Sequence, residues 1–415
     1  MALTASDPVR PTDAPASKRD ERRALGVACG AHALHDGYTD LIWLALPIWQ
    51  AEFALSYAAV GLLRTIFSGT TASLQIPASL LAERIGGAAV LAIGTALAGL
   101  CYCLAGVSAD FAVLLAALLI GGLGASTQHP LASALVAHAF AGSRSITALG
   151  TYNFAGDIGK VALPAAATAL LLVMPWRPAY GLLGLLGIAA GVAIFLLTPR
   201  FAPEHAERVA TPASAGEDSA ARGFKPGYRL LLAIGAIDSW TRAGFLVFLP
   251  FLLIGKGASV TTAGFALTLV FIGGAAGKLT CAWISARFGV IGTICITEGL
   301  TAAGMLGVLA LPLEAGLALL PFFGIVLNGT SSATYGSVPA FASTAERNRA
   351  FSWFYTGTLG AGALAPTVSG LIGDAAGAPV TVTIMAALVL LTLPLSWLLR
   401  PALHAAETPQ LARES

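Results

Sequence analysis

Charged residues are scarce in this sequence: Asp, Glu, Lys and Arg make up 11% of its 415 residues, whereas apolar residues make up 56%. A soluble domain carries roughly 25% charged residues, because its surface must be hydrated. The shortage excludes a soluble multidomain protein, a nucleic-acid-binding protein and a disordered chain. The composition indicates a polytopic membrane protein with a lipid bilayer around it.

Cysteine is also rare, with five residues, and no pair has the CxxC spacing of metal and redox sites. All five lie in apolar segments, as small packing residues do, so a disulfide scaffold is excluded. No nucleotide-binding motif is present, which disfavours an ATP-driven pump. The sequence predicts no cofactor.

Long apolar runs make up most of the chain. About 20 apolar residues cross the roughly 30 Å hydrocarbon core as a helix. The polar stretch 199–227 is a linker that divides the runs into six and six. The sequence predicts an all-α protein with a tail (1–23), a first bundle (24–198), a second bundle (228–399) and a tail (400–415). The twelve predicted spans are residues 24–50, 56–82, 88–106, 110–138, 145–173, 178–198, 228–254, 260–285, 289–311, 315–341, 348–372 and 378–399.

Lysine and arginine are distributed unequally between the two sides of the predicted bundles. The chain has 23 lysines and arginines, of which four lie within spans and two, Arg177 and Lys256, lie on the side opposite the N-terminus. The other seventeen lie on the side of the N-terminus. Cytoplasmic loops carry an excess of Lys and Arg. We therefore expect both termini and the linker to be cytoplasmic, in a bacterial inner membrane.

Two short patterns recur in both halves. Spans 2 and 8 end in similar basic turns, at residues 82–86 and 285–289, and spans 5 and 11 each run from small residues into a proline, Pro164 and Pro366. With the twelve spans and the 79–87 turn (SLLAERIGG), the sequence resembles the major facilitator superfamily. The resemblance implies two pseudo-symmetric six-helix bundles, alternating access and a small-molecule substrate. We expect a monomer.

A narrower resemblance is to the fosmidomycin-resistance group of drug exporters, which implies efflux and multidrug resistance. It rests on residues 32–36 (HALHD) and 50–53 (QAEF) and on the pair His129 and Pro130. It covers most of the first half and little that is specific in the second.

Four positions depart from the pattern of that group, at places expected to face the substrate. His35 stands where the group usually has Asn, Leu131 where it has an acid, and Asp157 and Lys160 where it has uncharged residues. The transported compound therefore need not be an antibiotic.

Ionisable residues inside the spans carry the functional prediction, because a charge at the bilayer centre costs at least ~2.5–3.5 kcal/mol on insertion scales. The resemblance places spans 1, 4, 7 and 10 along a cavity, spans 2, 5, 8 and 11 beside it, and the rest against lipid. Every such residue except Glu298 falls in the first two sets. They are His32, His35, Asp36 and Asp40 in span 1, Arg64 in span 2, His129 in span 4, Asp157 and Lys160 in span 5, Asp238 and Arg242 in span 7, Lys278 in span 8 and Glu298 in span 9.

Span 1 supplies the predicted proton-coupling group. His32, Asp36 and Asp40 are four residues apart and share one helix face, and His35 lies beside them. At about 1.5 Å per residue, Asp36 lies near the midplane. A neighbouring histidine can share or relay its proton. Asp36 is the predicted coupling carboxylate, with Asp157 next.

The same charges have a structural interpretation. Asp36 could pair statically with Lys160 or Arg242 and hold the halves in register. Asp157 and Lys160, three apart, and Asp238 and Arg242, four apart, could each form a salt bridge or grip a ligand. Two such pairs in opposite halves favour a polar, ionisable substrate, and a guanidinium can hold a carboxylate or phosphonate bidentately.

The remaining polar and aromatic residues of the spans complete the predicted substrate site. Lys278 either binds an anion or pairs with Glu298. Span 10 contributes a polar stripe, and aromatic walls lie where charge is scarce. The predicted substrate-binding residues are His129, Tyr38, Tyr152, Lys160, Asp238, Arg242, Lys278, Asn328 and Tyr335.

Glu83, Arg84 and Arg287, at the predicted cytoplasmic ends of spans 2 and 8, are interpreted as conformational latches that bridge the halves in the outward-open state. A metal site is an alternative interpretation of the histidines, since imidazole and carboxylate suit Zn²⁺, Ni²⁺ or Co²⁺; proton relay and hydrogen bonding are favoured over it. Its candidate ligands are His32, His35, His129 and Asp36.

The sequence therefore predicts a secondary active transporter and not an enzyme, because no nucleophile accompanies the histidines. The favoured action is proton-coupled export, by antiport, of a small polar or amphiphilic compound. The alternatives are proton-driven uptake of a small organic anion and transport of a metal ion or metallophore.

Overall fold

The computed structural model describes residues 17–140, 143–199, 224, 226–343 and 346–414. The predicted tail up to residue 16 and nearly all of the linker lie outside these residues. The described residues form fifteen α-helices and a short 3-10 helix, Val338–Phe341. The helices are α1 Lys18–Phe53, α2 Tyr57–Ser73, α3 Gln75–Ile85, α4 Gly87–Val107, α5 Phe111–Ala125, α6 Gln128–Ala139, α7 Ser143–Leu171, α8 Trp176–Leu197, α9 Tyr228–Gly255, α10 Val260–Ala310, α11 Leu313–Leu327, α12 Thr330–Ser337, α13 Arg347–Ala376, α14 Ala378–Leu390 and α15 Thr392–Glu414.

These helices build twelve membrane crossings, which confirms the predicted fold class. Eight helical stretches of the described chain are long and apolar enough to cross a membrane by themselves. One of them, α10, contains two crossings. The other crossings are α1, which carries the charged cluster, α2 with α3, which break at Leu74, and α13. Helices α5 with α6, α11 with α12, and α14 with α15 are likewise single crossings with a short interruption.

A single glycine separates the two crossings of α10. Gly289 has φ 69° and ψ 178°, whereas the helix continues on both sides of it. Glycine adopts a positive φ without the steric cost that a Cβ brings. The sequence placed spans 8 and 9 at 260–285 and 289–311, so the boundary was predicted, but not that one residue makes the turn.

The bundles have two ends, which we call the terminal face and the opposite face. The terminal face contains the starts of α1 and α9 and the end of α15. The opposite face contains the end of α1, the starts of α2, α5 and α10, and the end of α13. Side chains cap several helices there, as Ser56 accepts from the N–H of Ala59 and Asp110 from that of Val113.

The two halves pack tightly near the opposite face. The first turns of α2 lie against the last turns of α13: a Cβ on Gly61 would overlap the Pro366 carbonyl, and a Cβ on Gly370 would overlap that of Tyr57. The Thr367 hydroxyl donates to Thr65 Oγ1 at 2.8 Å. Small residues allow this close approach of backbones.

A second contact between the halves joins α7 and α10. Near the opposite face, a Cβ on Gly264 would overlap the side chain of Thr168 and press on Leu44. Helices α1, α2 and α7 of the first half thus meet α9, α10 and α13 of the second. This packing positions the charged residues of α1, α7, α9 and α10 around one central region.

Candidate functional site

Four charged side chains of alternating sign form a chain through the centre of the molecule. Lys160 Nζ lies 3.3 Å from Asp36 Oδ2 and 3.5 Å from Asp157 Oδ1, and Lys278 Nζ lies 2.6 Å from Asp157 Oδ2. Both carboxylates are buried, while the side chains of Lys160 and Lys278 are 36% and 48% exposed. Because Lys278 is on α10, the chain crosses from the first half to the second. We call this set the charge chain.

His32 is oriented by the backbone of α7. Its Nδ1 lies 2.9 Å from the carbonyl oxygen of Tyr152, which can only accept, so this nitrogen carries the proton of the neutral ring. Nε2 then faces Asp36 Oδ2 at 3.4 Å. The Tyr152 ring stacks on His32, with centroids 4.2 Å apart, and its hydroxyl donates to Gln128 Oε1.

Three histidine rings meet beside Asp36. His35 Nε2 lies 3.9 Å from Asp36 Oδ1, and the His129 ring is edge-on to His32 and His35, with centroids 5.2 and 4.7 Å away. His32, Asp36 and His129 each have one atom able to bind a metal ion, and these three atoms lie within 4.8 Å of one another. However, the Lys160 ammonium already lies against Asp36 and would repel a divalent cation. The arrangement favours hydrogen bonding and proton exchange.

Asp40 lies one turn along α1 from Asp36 and has its own partners. Its Oδ1 accepts from the indole N–H of Trp43 at 3.0 Å. The buried guanidinium of Arg64 lies 4.1 Å above the Trp43 ring and donates to the Thr39 carbonyl. Cation–π contact and hydrogen bonding keep Arg64 in the helix interface, so its charge serves packing between α1 and α2.

A second group of ionisable residues lies in the second half. Asp238 and Arg242 are on neighbouring turns of α9, and Glu298 is on the second arm of α10. Asp238 and Glu298 are 5% and 1% exposed, and Arg242 is half-buried. Within the described chain, Arg242 has no ion pair within 4.0 Å and no hydrogen bond, although both carboxyl groups act on it electrostatically. Lys278 pairs with Asp157 and not with Glu298.

The structure does not bring three predicted substrate residues into the charge chain. The Tyr38 hydroxyl donates to the Leu183 carbonyl at 2.6 Å in the core of the first half. Asn328 lies between α11 and α12 and donates to the Gly324 carbonyl at 3.1 Å. Tyr335 is 46% exposed on α12, against Phe351.

The three predicted latch residues are exposed near the terminal face. Glu83 and Arg84 lie at the end of α3, and Arg287 lies two residues before Gly289. None of them makes an ion pair with another described residue. The observed contacts between the halves lie instead at the centre and near the opposite face.

Sequence reasoning missed Asp374, which joins the halves at the opposite face. Its Oδ1 and Oδ2 accept the backbone N–H groups of Tyr57 and Ala58 at 2.6 and 3.0 Å. The signal was present: an acid in the last turn of α13 is unfavourable for its own helix dipole and favourable at the start of another helix. Which helix it caps depends on packing.

Comparison with known proteins gives one family. Residues 28–234 and 231–415 match the Major Facilitator Superfamily. A curated relative, a "Probable L-galactonate transporter" of Escherichia coli (strain K12), is 26% identical over 148 residues, which are 36% of this chain and 33% of the relative. This chain therefore matches about one third of that relative's length.

Two groups of solved structures share the architecture. A bacterial homologue of the human lysosomal transporter Spinster, in an inward-facing and occupied conformation, has a TM-score of 0.77 at 16% identity, over 94% of this chain and 99% of its own. The nucleoside transporter NupG has a TM-score of 0.71 at 15% identity, over 92% and 99%. At these identities the likeness shows the fold alone.

Proposed function

Because the chain belongs to the Major Facilitator Superfamily, we propose that it carries a small organic anion together with protons, by alternating access between its two six-helix bundles. The chain is a multi-pass membrane transporter and not an enzyme. The observation that carries the proposal is the charge chain, in which two acids and two lysines alternate across the halves.

The alternation provides a way to couple a proton to an anion. When Asp36 or Asp157 is ionised, its negative charge neutralises Lys160 or Lys278. Protonation of the acid removes that partner and leaves an ammonium group that a substrate carboxylate can bind. Proton and anion then bind together, since each makes the site more favourable for the other. His32 and His35, beside Asp36, can relay the proton.

Arg242 supports an anionic substrate from the other half. It is half-buried and has no ion pair with a described residue, and its planar guanidinium presents parallel donors that fit a carboxylate. The curated relative is a "Probable L-galactonate transporter", and L-galactonate is the anion of a sugar acid. This agrees with the predicted uptake of an organic anion.

The direction of transport separates this proposal from the favoured prediction of the sequence. Proton-coupled export of a polar or amphiphilic compound rests on residues 32–36 and on His129 and Pro130, which resemble the drug exporters. In that case protons enter as substrate leaves. In the proposed anion transport, both move in the same direction.

Transport by purified protein in liposomes distinguishes these functions. With an inward proton gradient, we expect accumulation of a radiolabelled sugar acid that stops when the gradient is collapsed. Asp36→Asn should abolish accumulation and leave downhill exchange, whereas Asp110→Asn, at a helix cap far from the site, should leave both. Uphill accumulation by Asp36→Asn equal to wild type would contradict the role of Asp36.

A drug panel in the same liposomes tests export. Gradient-driven efflux of an uncharged or cationic drug, with no flux of sugar acids, would replace the anion proposal with the export function. Arg242→Gln should raise the KM for the anion more than it lowers kcat, because the guanidinium binds substrate and does not carry the proton.

We also propose that the terminal face is cytoplasmic, in a bacterial inner membrane. The excess of Lys and Arg near that face supports this orientation. Glu83, Arg84 and Arg287 then lie at the cytoplasmic ends of their helices, where they can latch the halves when that side closes. Labelling of a cysteine at Ser415 in intact cells tests the orientation, since a membrane-impermeant reagent should not reach it.

A further inference from the structure

Glu298 has a setting that an ionised carboxylate does not tolerate. It is 1% exposed, and neither of its carboxylate oxygens has a hydrogen-bond partner among the described residues. It lies nine residues from Gly289, about 14 Å along a helix that crosses the membrane. An unpaired charge at such depth is strongly unfavourable.

The hydroxyl groups near Glu298 are oriented so that Thr330 cannot donate to it. Thr297 Oγ1 donates to the Thr293 carbonyl at 2.8 Å, so its single proton is used. Thr330 Oγ1 then donates to Thr297 Oγ1 at 2.6 Å and has only lone pairs left. If Glu298 forms a hydrogen bond with Thr330, Glu298 must therefore be the donor, and it must carry a proton.

The charges around Glu298 favour the same state. Asp238 and Arg242 of α9 are the charged groups that act on it, and α12 contributes the uncharged Thr330. One guanidinium can neutralise one of the two carboxylates. Two ionised carboxylates close together in a buried place repel each other, and a shared proton relieves this repulsion. Lys278 is committed to Asp157.

From this geometry we infer that Glu298 and Asp238 form a proton-binding site of the second half, in which Glu298 carries the proton and Asp238 is ionised beside Arg242. The ligand is a proton, and the site is separate from the charge chain. The inference goes beyond the proposed function, since it concerns the resting protein and needs neither a substrate nor a direction of transport.

The site is closed in the observed conformation. Glu298, Asp238 and Thr330 are almost fully buried between α9, α10 and α12. Exchange of the proton with water therefore requires these helices to separate. The proton should exchange slowly as long as the protein stays in this conformation.

Infrared spectroscopy of the purified protein in lipid tests the inference. At pH 7 the wild type should show the C=O stretching band of a protonated carboxyl group, with slow hydrogen–deuterium exchange. Glu298→Gln should remove the band and keep the thermal unfolding midpoint, because the amide replaces a neutral group of the same shape. Glu314→Gln, an exposed acid at the start of α11, should keep the band.

Two outcomes would overturn the inference. One is a wild-type spectrum at pH 7 with no protonated carboxyl band, or a band that remains in Glu298→Gln. The other is a large fall of the unfolding midpoint in Glu298→Gln with no change of the band, which would indicate an ionised Glu298 bound to Arg242. If Glu298→Gln does not fold, Glu298→Asp should shift the band without removing it. Failure of sugar-acid transport would leave these results unaffected.

Discussion

Glu52 lies beyond the predicted end of span 1 and ties α1 to α8 at the opposite face. Arg177 Nη2 donates to its Oε1 at 2.8 Å, and the indole N–H of Trp176 points to its Oε2 at 3.4 Å. The hydrogen bond from Arg177 holds the pKa of Glu52 below its usual range. Both partners are partly exposed, so the stabilisation is small.

The lowered pKa sets the pH range in which this tie acts. A carboxyl group with a lowered pKa in the folded state stabilises the fold above its unfolded pKa, and the contribution is lost as the pH falls through the folded value. Glu52→Gln should therefore lower the unfolding midpoint slightly at pH 7. The difference from wild type should begin to shrink as the pH falls through the ordinary range of a glutamate pKa, and it should disappear below the lowered pKa of the folded state.

Thermal unfolding of both proteins in detergent, measured from pH 3 to pH 8, checks this. Glu314→Gln removes an acid on the same face that has no ion pair with a described residue, and it serves as the control. A difference between wild type and Glu52→Gln that is the same at both ends of the pH range would contradict the ionic origin of the effect.

Single residues show which part of the site could be read from the sequence. Asp36, Asp157, Lys160 and Lys278 were recognisable, because any charge inside an apolar run needs a reason. The pairing of Lys160 with Asp36 and with Asp157 was among the predicted alternatives. The partner of Lys278 was not predicted: the sequence offered Glu298 or an anion, whereas the packing of α7 against α10 brings Lys278 to Asp157. The orientation of a charged side chain is a tertiary property.

At the scale of helices, Asp374 acts as an N-terminal cap supplied by another half. A side-chain cap of a helix contributes about 0.5–2 kcal/mol, and here the charge of the carboxylate adds to the hydrogen bonds with Tyr57 and Ala58. The α2–α13 contact at the opposite face therefore depends on one acid, Asp374. This acid is unfavourable for the dipole of its own helix, α13, and caps a helix of the other half.

Asp374→Ala should weaken closure of the opposite face by about 1–2 kcal/mol, a change of roughly 5–30-fold in the ratio of closed to open molecules. Spin labels on cysteines at Ala51 and Ala315, in an otherwise cysteine-free protein, report the distance between the halves there. Longer distances should become more populated.

Asp110→Ala provides the matched control, because Asp110 caps α5 within the first half. It should lower stability by a similar amount and leave the distance distribution unchanged. Equal distributions for both variants would show that the Asp374 cap has no influence on closure.

Gly61 provides a second test of the contact between α2 and α13. A Cβ at this position would overlap the Pro366 carbonyl, and backbone atoms cannot turn aside as a side chain can. Gly61→Ala should therefore part α2 from α13 and favour molecules open at the opposite face. Gly69→Ala, on the same helix with no atom within 4 Å of a new Cβ, should behave as wild type. Similar label distances for the two variants would contradict the steric argument.

The sequence predicted the crossings more accurately than it predicted where the helices begin, break and end. The sequence placed every crossing, because burial in lipid needs a run of apolar residues and this requirement is local. It ended span 1 at residue 50 and began it at residue 24, whereas α1 runs from Lys18, capped by Ser17, to Phe53. The break at Leu74 is followed three residues later by Pro77, which has no N–H to bond back across it, whereas the break at Asn328 has no proline within six residues of it to mark it.

At the scale of the whole molecule, the Lys278–Asp157 pair is an ionic contact that joins the halves at the centre. The Lys278 side chain is 48% exposed, so water screens the pair and its contribution falls toward about 1 kcal/mol. This small energy matters because the two conformations of the transporter differ in free energy by only a few kcal/mol.

Lys278→Gln should shift the distribution of label distances toward the open form by roughly 5-fold. Lys160→Gln is the matched control: both partners of Lys160, Asp36 and Asp157, belong to the first half, so the balance between the conformations should change less. Lys278→Arg should restore the wild-type distribution. An unchanged distribution in Lys278→Gln would remove the pair from the closure of the molecule.

The α2–α13 contact also has a consequence for water. Where Gly61 meets Pro366 and Gly370 meets Tyr57, backbone lies on backbone and leaves no room for a file of water molecules. Water therefore cannot pass between α2 and α13 at this contact. The same small residues that let these two helices approach each other therefore also exclude water from the seam between them.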